Sequence, residues 1–558
     1  MTIEYKGQKF LSDNDLKIQS LGFWPRIKIN HPLLKNMFYD SNGRDFLGGD
    51  ELVAYAQVLV SKGMDFSELE NNIFEDTNNS EKGSLVETIH KKIATGIGRG
   101  HSLGGLSGIV LGINGTKMID SGLTGFVASR SLVTSSRRRE TTSEEIAVPE
   151  SLLKREDLLD EYLSISKDLF EFSSKCKEKF GKLGGVETFN KVIPYNSPAD
   201  LFIVMPLDTM ATLDFEVQQD NKNSNGRFLP KEMHYLADLF PGIAEESGID
   251  VMFKQRIKVP RDGYLHYNVF KDPSLPNYAL ERGIINNMNI NPVLDDFDLN
   301  ISVDFKKSLE KLKKIFQIAR EVDDPNKLSE RSMDCMLAMR NFVGEYNEAV
   351  RIKIVDSISW RVWSEQKRHS TLRQNVESVY SAAERSLEGI KPFWELIEKT
   401  HKGERNEELP FKEIENFIII DDRLKKSPEL AIPYVYYTAR QLMFYGKLLE
   451  NGIEDRDALF IVPKNIRLRS LENYDLVNLI DLELPLRLCN TCEPERKASS
   501  WKKRELIAQA IPDLDYFLQP KCSVGMCTEG NFCGNILSMR EYNKDLHNAA
   551  KRKMLSLD

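Results

Sequence analysis

The chain is short of long apolar runs, of cysteine and of histidine, and each shortage narrows the function. No apolar stretch approaches the about 18–20 residues that span a bilayer, so a transmembrane protein is not expected. There are seven cysteines in 558 residues, too few for a disulfide framework, and five of them crowd the last 70 residues. In a reducing compartment such a cluster is a metal or redox candidate before it is a set of disulfides. The start, Met1-Thr2-Ile3-Glu4-Tyr5-Lys6, carries no signal-peptide pattern, and the expected location is the cytoplasm. A formal net charge of −8 argues against bulk nucleic-acid binding, although a local basic cluster can still hold a phosphate.

The composition is that of an ordinary globular protein, 41% hydrophobic and 29% charged, with length enough for two to four domains. Spacing of apolar residues predicts helices over Asp50–Met64, Leu152–Phe180, Glu232–Phe240, Lys306–Val322, Met333–Val343 and Leu430–Leu449. Gly452 stands where the last of these would be capped. Ile109–Ile113 reads as a buried strand, and Val350, Ile352 and Ile354 alternate with Arg351 and Lys353 as a half-buried one. Asp356 or Ser357 would cap the next segment. Asp220–Arg227 reads as polar loop, and 251–300 as short strands between Pro- and Asn-rich turns.

Three stretches are dense in chemistry. Arg368-His369-Ser370, with Asn375 and Ser378 downstream, places a cation, an amide and a hydroxyl at near-helical intervals; it is either a solvated helix face or a ligand wall. Gly96–Gly105 holds His101 in a glycine-rich run whose backbone could approach phosphate, but its spacing is neither a Walker loop nor a clean dinucleotide fingerprint, and a flexible connection would look the same. Arg137, Arg138 and Arg139 sit beside hydroxyl residues and could grip a phosphate bidentately, or lie on a solvated surface. An internal echo joins Leu201-Phe202-Ile203-Val204-Met205-Pro206 to Ala458-Leu459-Phe460-Ile461-Val462-Pro463, which suggests two diverged copies of one unit.

With these residues in view, the chain resembles the flavin-dependent thymidylate synthases. Arg368-His369 matches the start of that family's Arg-His-Arg signature, and Asn375 and Ser378 fall at its offsets. Leu448–Ile453 through Ile461-Val462-Pro463 is similar to the family's helix, glycine turn and buried run into proline, and Arg487-Leu488 to its closing arginine. The resemblance covers about 90–250 and 330–535. It departs at Ser370, Val376, Tyr380 and Leu459, where the family carries Arg, Glu, Arg and Arg.

The resemblance implies an α+β fold in two tandem copies of a mixed sheet-plus-helices unit. The expected segments are a helical lead-in (1–90), a first repeat (91–255), a connecting region (256–304), a second repeat (305–518) and a Cys-containing tail (519–558). It also implies methylation of dUMP to dTMP, with methylene-tetrahydrofolate as carbon donor, reduced FAD as hydride carrier and NADPH as reductant. The alternative is a non-catalytic flavin- or nucleotide-binding relative. On the enzyme reading Arg487 and Ser378 are the catalytic candidates. Arg368, His369, Ser370, Asn375 and His101 would hold cofactor, and Arg137, Arg138, Arg139, Arg368, Ser378 and Arg487 substrate. A homodimer would stand in for the tetramer formed by single-copy subunits. No nucleic-acid or membrane partner is expected.

Cys489 and Cys492 form a C-x2-C, followed by Cys522, Cys527 and Cys533. These thiols could hold a structural zinc, although the spacing is irregular and one cysteine is surplus. An iron–sulfur cluster or simply packed reduced thiols are the alternatives.

Overall fold

The computed structural model describes residues 107–123, 130–133, 146–180, 186–257, 268–274, 292–367, 371–405, 407–524 and 544–555, with short pieces of the first 50 residues and Cys527 and Cys533. His101, Arg137, Arg138, Arg139, Arg368, His369 and Ser370 lie outside these, as do the glycine-rich run and residues 51–64. The chain is a mixture of helices and largely antiparallel sheets, divided into two units: residues 1–272 with 436–464, and 273–435 with 465–558. No helix among the described residues is long and apolar enough to cross a membrane.

The first unit is built on a four-stranded antiparallel sheet of β1 (Lys17–Trp24), β2 (Gly108–Thr116), β3 (Arg130–Val133) and β4 (Pro198–Pro206), in the order β1-β2-β4-β3. Alternation buries Ile109, Leu111 and Ile113 on β2 and Leu201, Ile203 and Met205 on β4, all on one face. Burying each such side chain contributes about 1.5–3 kcal/mol. Between β2 and β3 runs α1 (Lys117–Leu123); α2 (Glu156–Phe180) precedes β4. After β4 come α3 (Leu207–Ser224), α4 (Lys231–Glu246) and α5 (Asp250–Arg256). The polar 220–227 stretch is thus not all loop. Helix α3 continues to Ser224 because one face is buried, and it stops where Asn225 and Gly226 turn left-handed (φ 56° and 72°). Of the stretch 251–300, where short strands are expected, α5 occupies the start and a strand, Val293–Leu299, the end; 258–267 and 275–291 lie outside the described residues.

The second unit repeats the plan. Its sheet consists of β5 (Val293–Leu299), β6 (Val350–Ser359), β7 (Arg373–Val376) and β8 (Arg467–Asp475), in the order β5-β6-β8-β7. Between β5 and β6, α6 (Val303–Ala319) and α7 (Pro325–Tyr346) bury Phe305, Leu309, Phe316, Met339 and Phe342 against the sheet's Ile352 and Ile354. Ser302 and Asp324 cap these helices through their side chains, and Pro325 occupies the first turn of α7. Helix α8 (Trp360–Gln366) comes after β6, capped by Ser359 rather than by Asp356 or Ser357. Ser359 Oγ accepts from Val362 N, whereas Asp356 is buried in the strand. From Thr371 on, the 368–380 stretch is not a helix face: it enters strand β7, and a helix, α9 (Val379–Ile390), starts only after Ser378.

The two sheets agree in register as well as in order. Thr116 pairs with Pro198 and Ser359 with Arg467, each at the end of its strand; Val133 pairs with Leu201 and Val376 with Ser470, three residues into β4 and β8. The first strand of each sheet bulges at one and the same rung: β1 between the partners of Leu111 and Val110, β5 between those of Ile354 and Lys353, five and six residues before Thr116 and Ser359.

The internal echo of Leu201–Pro206 in Ala458–Pro463 does not mark this likeness. Leu201–Pro206 lies in β4, whereas Ala458–Pro463 forms helical turns before β8. The counterpart by register is Val192-Ile193-Pro194-Tyr195-Asn196 against Ile461-Val462-Pro463-Lys464-Asn465, each proline four residues before its strand, and each asparagine fully buried.

Helix α10 (Pro428–Glu450) crosses the boundary between the units, and its residues from 436 onward belong to the first. There it runs antiparallel to α2: Tyr437 stacks on Phe172 (4.8 Å between centroids), Arg440 bonds Asp168 at 2.6 Å and Lys447 bonds Glu161 at 2.5 Å. Gly452 (φ 79°) ends it in a Schellman turn, with Ile453 N donating to Leu448 O and Gly452 N to Leu449 O. The second unit continues after β8 with α11 (Leu476–Ile480), α12 (Glu483–Arg487), α13 (Pro494–Ala510) and α14 (Lys544–Met554).

Candidate functional site

The described candidates fall on opposite faces of the second sheet. Residues directly opposite in a ladder share a face. Asn375 pairs with Leu471 and so lies on the face that carries Arg467 and Arg469; Gln374 pairs with Glu472 on the other.

Glu377, on the first face, and Ser378 lead from β7 into α9. Glu377 N donates to Arg469 O (2.9 Å), and Arg469 N returns a bond to the Glu377 carboxylate (3.1 Å). Arg385, two turns along α9, holds that carboxylate with two nitrogens, at 2.7 and 3.3 Å. Arg385 also reaches Arg467 O at 2.8 Å, and Arg467 donates to Ser357 O and Glu415 O. Three guanidiniums therefore gather at the N-terminus of α9, with Ser378 as the cap residue, where the helix dipole also favours an anion. Burial pulls Arg467 down to about 10, against nearby Glu495, Glu415 and Asp356. Burial, reinforced by Arg385, does the same to Arg469, against Glu377. Sequence reasoning misses Arg385, Arg467 and Arg469: they are scattered along the chain, and only the pairing of β7 with β8 assembles them.

On the second face, α13 presses two cations onto the strands. Lys503 Nζ lies 2.5 Å from Asp356 and 2.6 Å from Glu472, and Arg496 lies 3.4 Å from Asp356, 3.6 Å from Glu472 and 3.4 Å from Glu483. Gln366 and Tyr474 also bond Glu472. The two cations hold its carboxyl down at about 2 although burial works the other way. Arg487 ends this network. Its Nε bonds Glu483 at 2.8 Å; burial opposes its charge, but Glu483 outweighs that and keeps it cationic. Its Nη2 is buried and finds no partner among the described residues.

The helix that leads to Arg368 is held at its start by a carboxylate. Ser359 N and Oγ donate to the two oxygens of Glu495, at 2.6 and 2.8 Å, from the first turn of α13. The first unit does the same: Thr116 N and Oγ1 donate to Glu232 of α4, at 2.9 and 2.7 Å. Both glutamates are the second residue of their helix.

Seven curated relatives match this sequence, and all carry one name. The chain is similar to flavin-dependent thymidylate synthases. It is 29% identical over 135 residues to that of Pyrococcus abyssi (23% of this chain, 55% of the relative). It is 29% identical over 167 residues to that of Thermococcus kodakarensis (29% and 66%), and 24% over 178 residues to that of Sulfurisphaera tokodaii (32% and 65%). The chain thus spans just over half to two-thirds of the length of these relatives. No protein-family model matches it.

Among the described residues, which include Cys489, Cys492, Cys522, Cys527 and Cys533, no group of three or more His, Cys, Asp or Glu is placed to hold a metal. Burial pushes the Cys492 thiol up to about 11; burial, followed by the nearby Cys527, Cys489 and Cys533, pushes Cys522 up to about 12. Both are therefore neutral thiols at pH 7 while no metal is bound.

Proposed function

We propose that this chain makes thymidylate, methylating dUMP at C5 with methylene-tetrahydrofolate as carbon donor and a flavin, FAD, reduced by NADPH. The observation that carries the reading is Arg487: a buried guanidinium, fixed by Glu483, with a donor to spare at the position that resembles the family's closing arginine. Uracil gains negative charge when C5 is activated. A preorganised cation beside that charge stabilises the transition state without reorganising. Reduced flavin, when bound, supplies the hydride.

The residues present fit phosphate-bearing ligands. Ser378 and the Arg385–Arg467–Arg469 group at the head of α9 would hold a phosphate, and Arg368, His369 and Asn375 would line the cofactor. A complete site would draw on two copies of the unit, as in the tetramer of single-copy subunits. Tandem copies in one chain would supply this as a homodimer. The common strand order, register and bulge support the tandem reading. Counting on from the matched strands, Ser135 takes the offset of Ser378 and Arg137 that of Tyr380, so Ser-x-Arg survives in the first copy where the second has lost its arginine. His101, Arg138 and Arg139 would contribute from the same copy.

The test is tritium release from 5-tritiated dUMP with methylene-tetrahydrofolate, FAD and NADPH, together with growth of a thymidine auxotroph. Release and rescue are expected. Flavin and dUMP binding without either would establish the non-catalytic alternative, and a protein that takes up no flavin would sink both.

A further inference from the structure

The two sheets give this molecule its own control. Where the second unit buries Asp356, Ser470 and Glu472 under α13, the first has Ile113, Leu201 and Ile203 on the same rungs. In the helix after the strand, Arg361 and Gln366 stand where the first unit has Met118 and Leu123. All are buried. The fold therefore stands without polar groups at these positions, and burying them costs free energy that apolar residues would not.

Gln374 is the sharpest case. It lies on this face opposite Glu472, it is 1% exposed, and neither its Nε2 nor its Oε1 has a partner among the described residues. Ser470 Oγ, one rung pair away, is buried without one as well. A buried amide left with an open donor and an open acceptor side by side is destabilising unless something completes it.

We propose that this face of the second unit, and not its counterpart in the first, holds a planar heterocycle through an imide edge, read by Gln374. Oε1 accepts the ring N–H and Nε2 donates to the neighbouring ring carbonyl. The uracil of a nucleotide and the pyrimidine end of a flavin both present this edge. The inference rests on the proposed function only in taking its ligands from there.

The experiment compares the full chain with Gln374→Met, which keeps the volume and removes both polar atoms. dUMP and FAD are titrated separately by calorimetry, and thermal unfolding is followed without ligand. The expected result is a Kd raised ten-fold or more for one of the two ligands, which identifies the source of the edge, with the ligand-free Tm unchanged or raised. Unchanged Kd values for both, no binding of either by the wild type, or a Tm lowered by several degrees with binding intact would overturn the proposal. Thymidylate formation separates the two readings. Wild-type turnover in Gln374→Met removes this inference and leaves the function standing; imide binding without any turnover does the reverse.

Discussion

Arg487 is legible in the sequence as a position; its setting is not. Nothing local says that Glu483, four residues earlier, would be fully buried and hold it, or that Arg496 and Lys503 would balance the carboxylates behind it. Arg487→Ala is expected to lower thymidylate formation by roughly ten-fold or more, measured as kcat at saturating dUMP, because the lost contact acts on developing charge. A second residue-scale expectation concerns His547, buried on α14 and accepting from Cys527 N at 3.2 Å. Burial pushes it down to about 4 from the usual 6.5. Below pH 6.5 the unfolded chain takes up a proton that the folded chain refuses until about pH 4. Stability therefore falls as pH drops through that window, by a few kcal/mol at most. Urea melts at pH 7 and pH 5 should show the loss in wild type and a smaller one in His547→Gln.

At the scale of elements, long amphipathic segments are plain in the sequence and short ones are not. Helices α2 and α10 can be read to within a few residues because their apolar spacing runs for several turns. The 368–380 stretch misleads because four residues of strand, Arg373–Val376, are too few to show a period of two, and their pairing with β8 comes from nearly a hundred residues away. The carboxylate clamps are equally invisible: Ser359 and Glu495 are an ordinary cap and an ordinary first-turn acid until the fold brings them together. Glu495→Ala should cost about 2 kcal/mol, the range for hydrogen bonds to a charged group. It should also speed amide exchange across Trp360–Gln366 while leaving Lys117–Leu123 untouched; Glu232→Ala should do the opposite. Exchange by mass spectrometry distinguishes the two, and equal loosening of both helices in either variant would refute a local clamp.

At the scale of the molecule, the two sheets share one strand order and register, but the sequence echo falls on other residues. The echo of Leu201–Pro206 in Ala458–Pro463 joins a strand to helical turns, whereas the aligned Pro194-x-Asn196 and Pro463-x-Asn465 are too short to stand out without a register. If the tandem copies form a homodimer, light scattering should give twice the 64.0 kDa of one chain. The interruption of the first unit has a consequence for synthesis. Its residues 436–464 bring Arg440 and Lys447 to Asp168 and Glu161, and they leave the ribosome only after residues 273–435 of the second unit have been made. The usual order, in which an N-terminal domain closes before its neighbour is translated, is not open to this chain. The nascent first unit must wait, with one side of α2 uncovered, for more than 160 residues beyond Asp272. A fragment ending at Asp272 should therefore be captured by chaperones or degraded, and adding 436–464 in trans should rescue it.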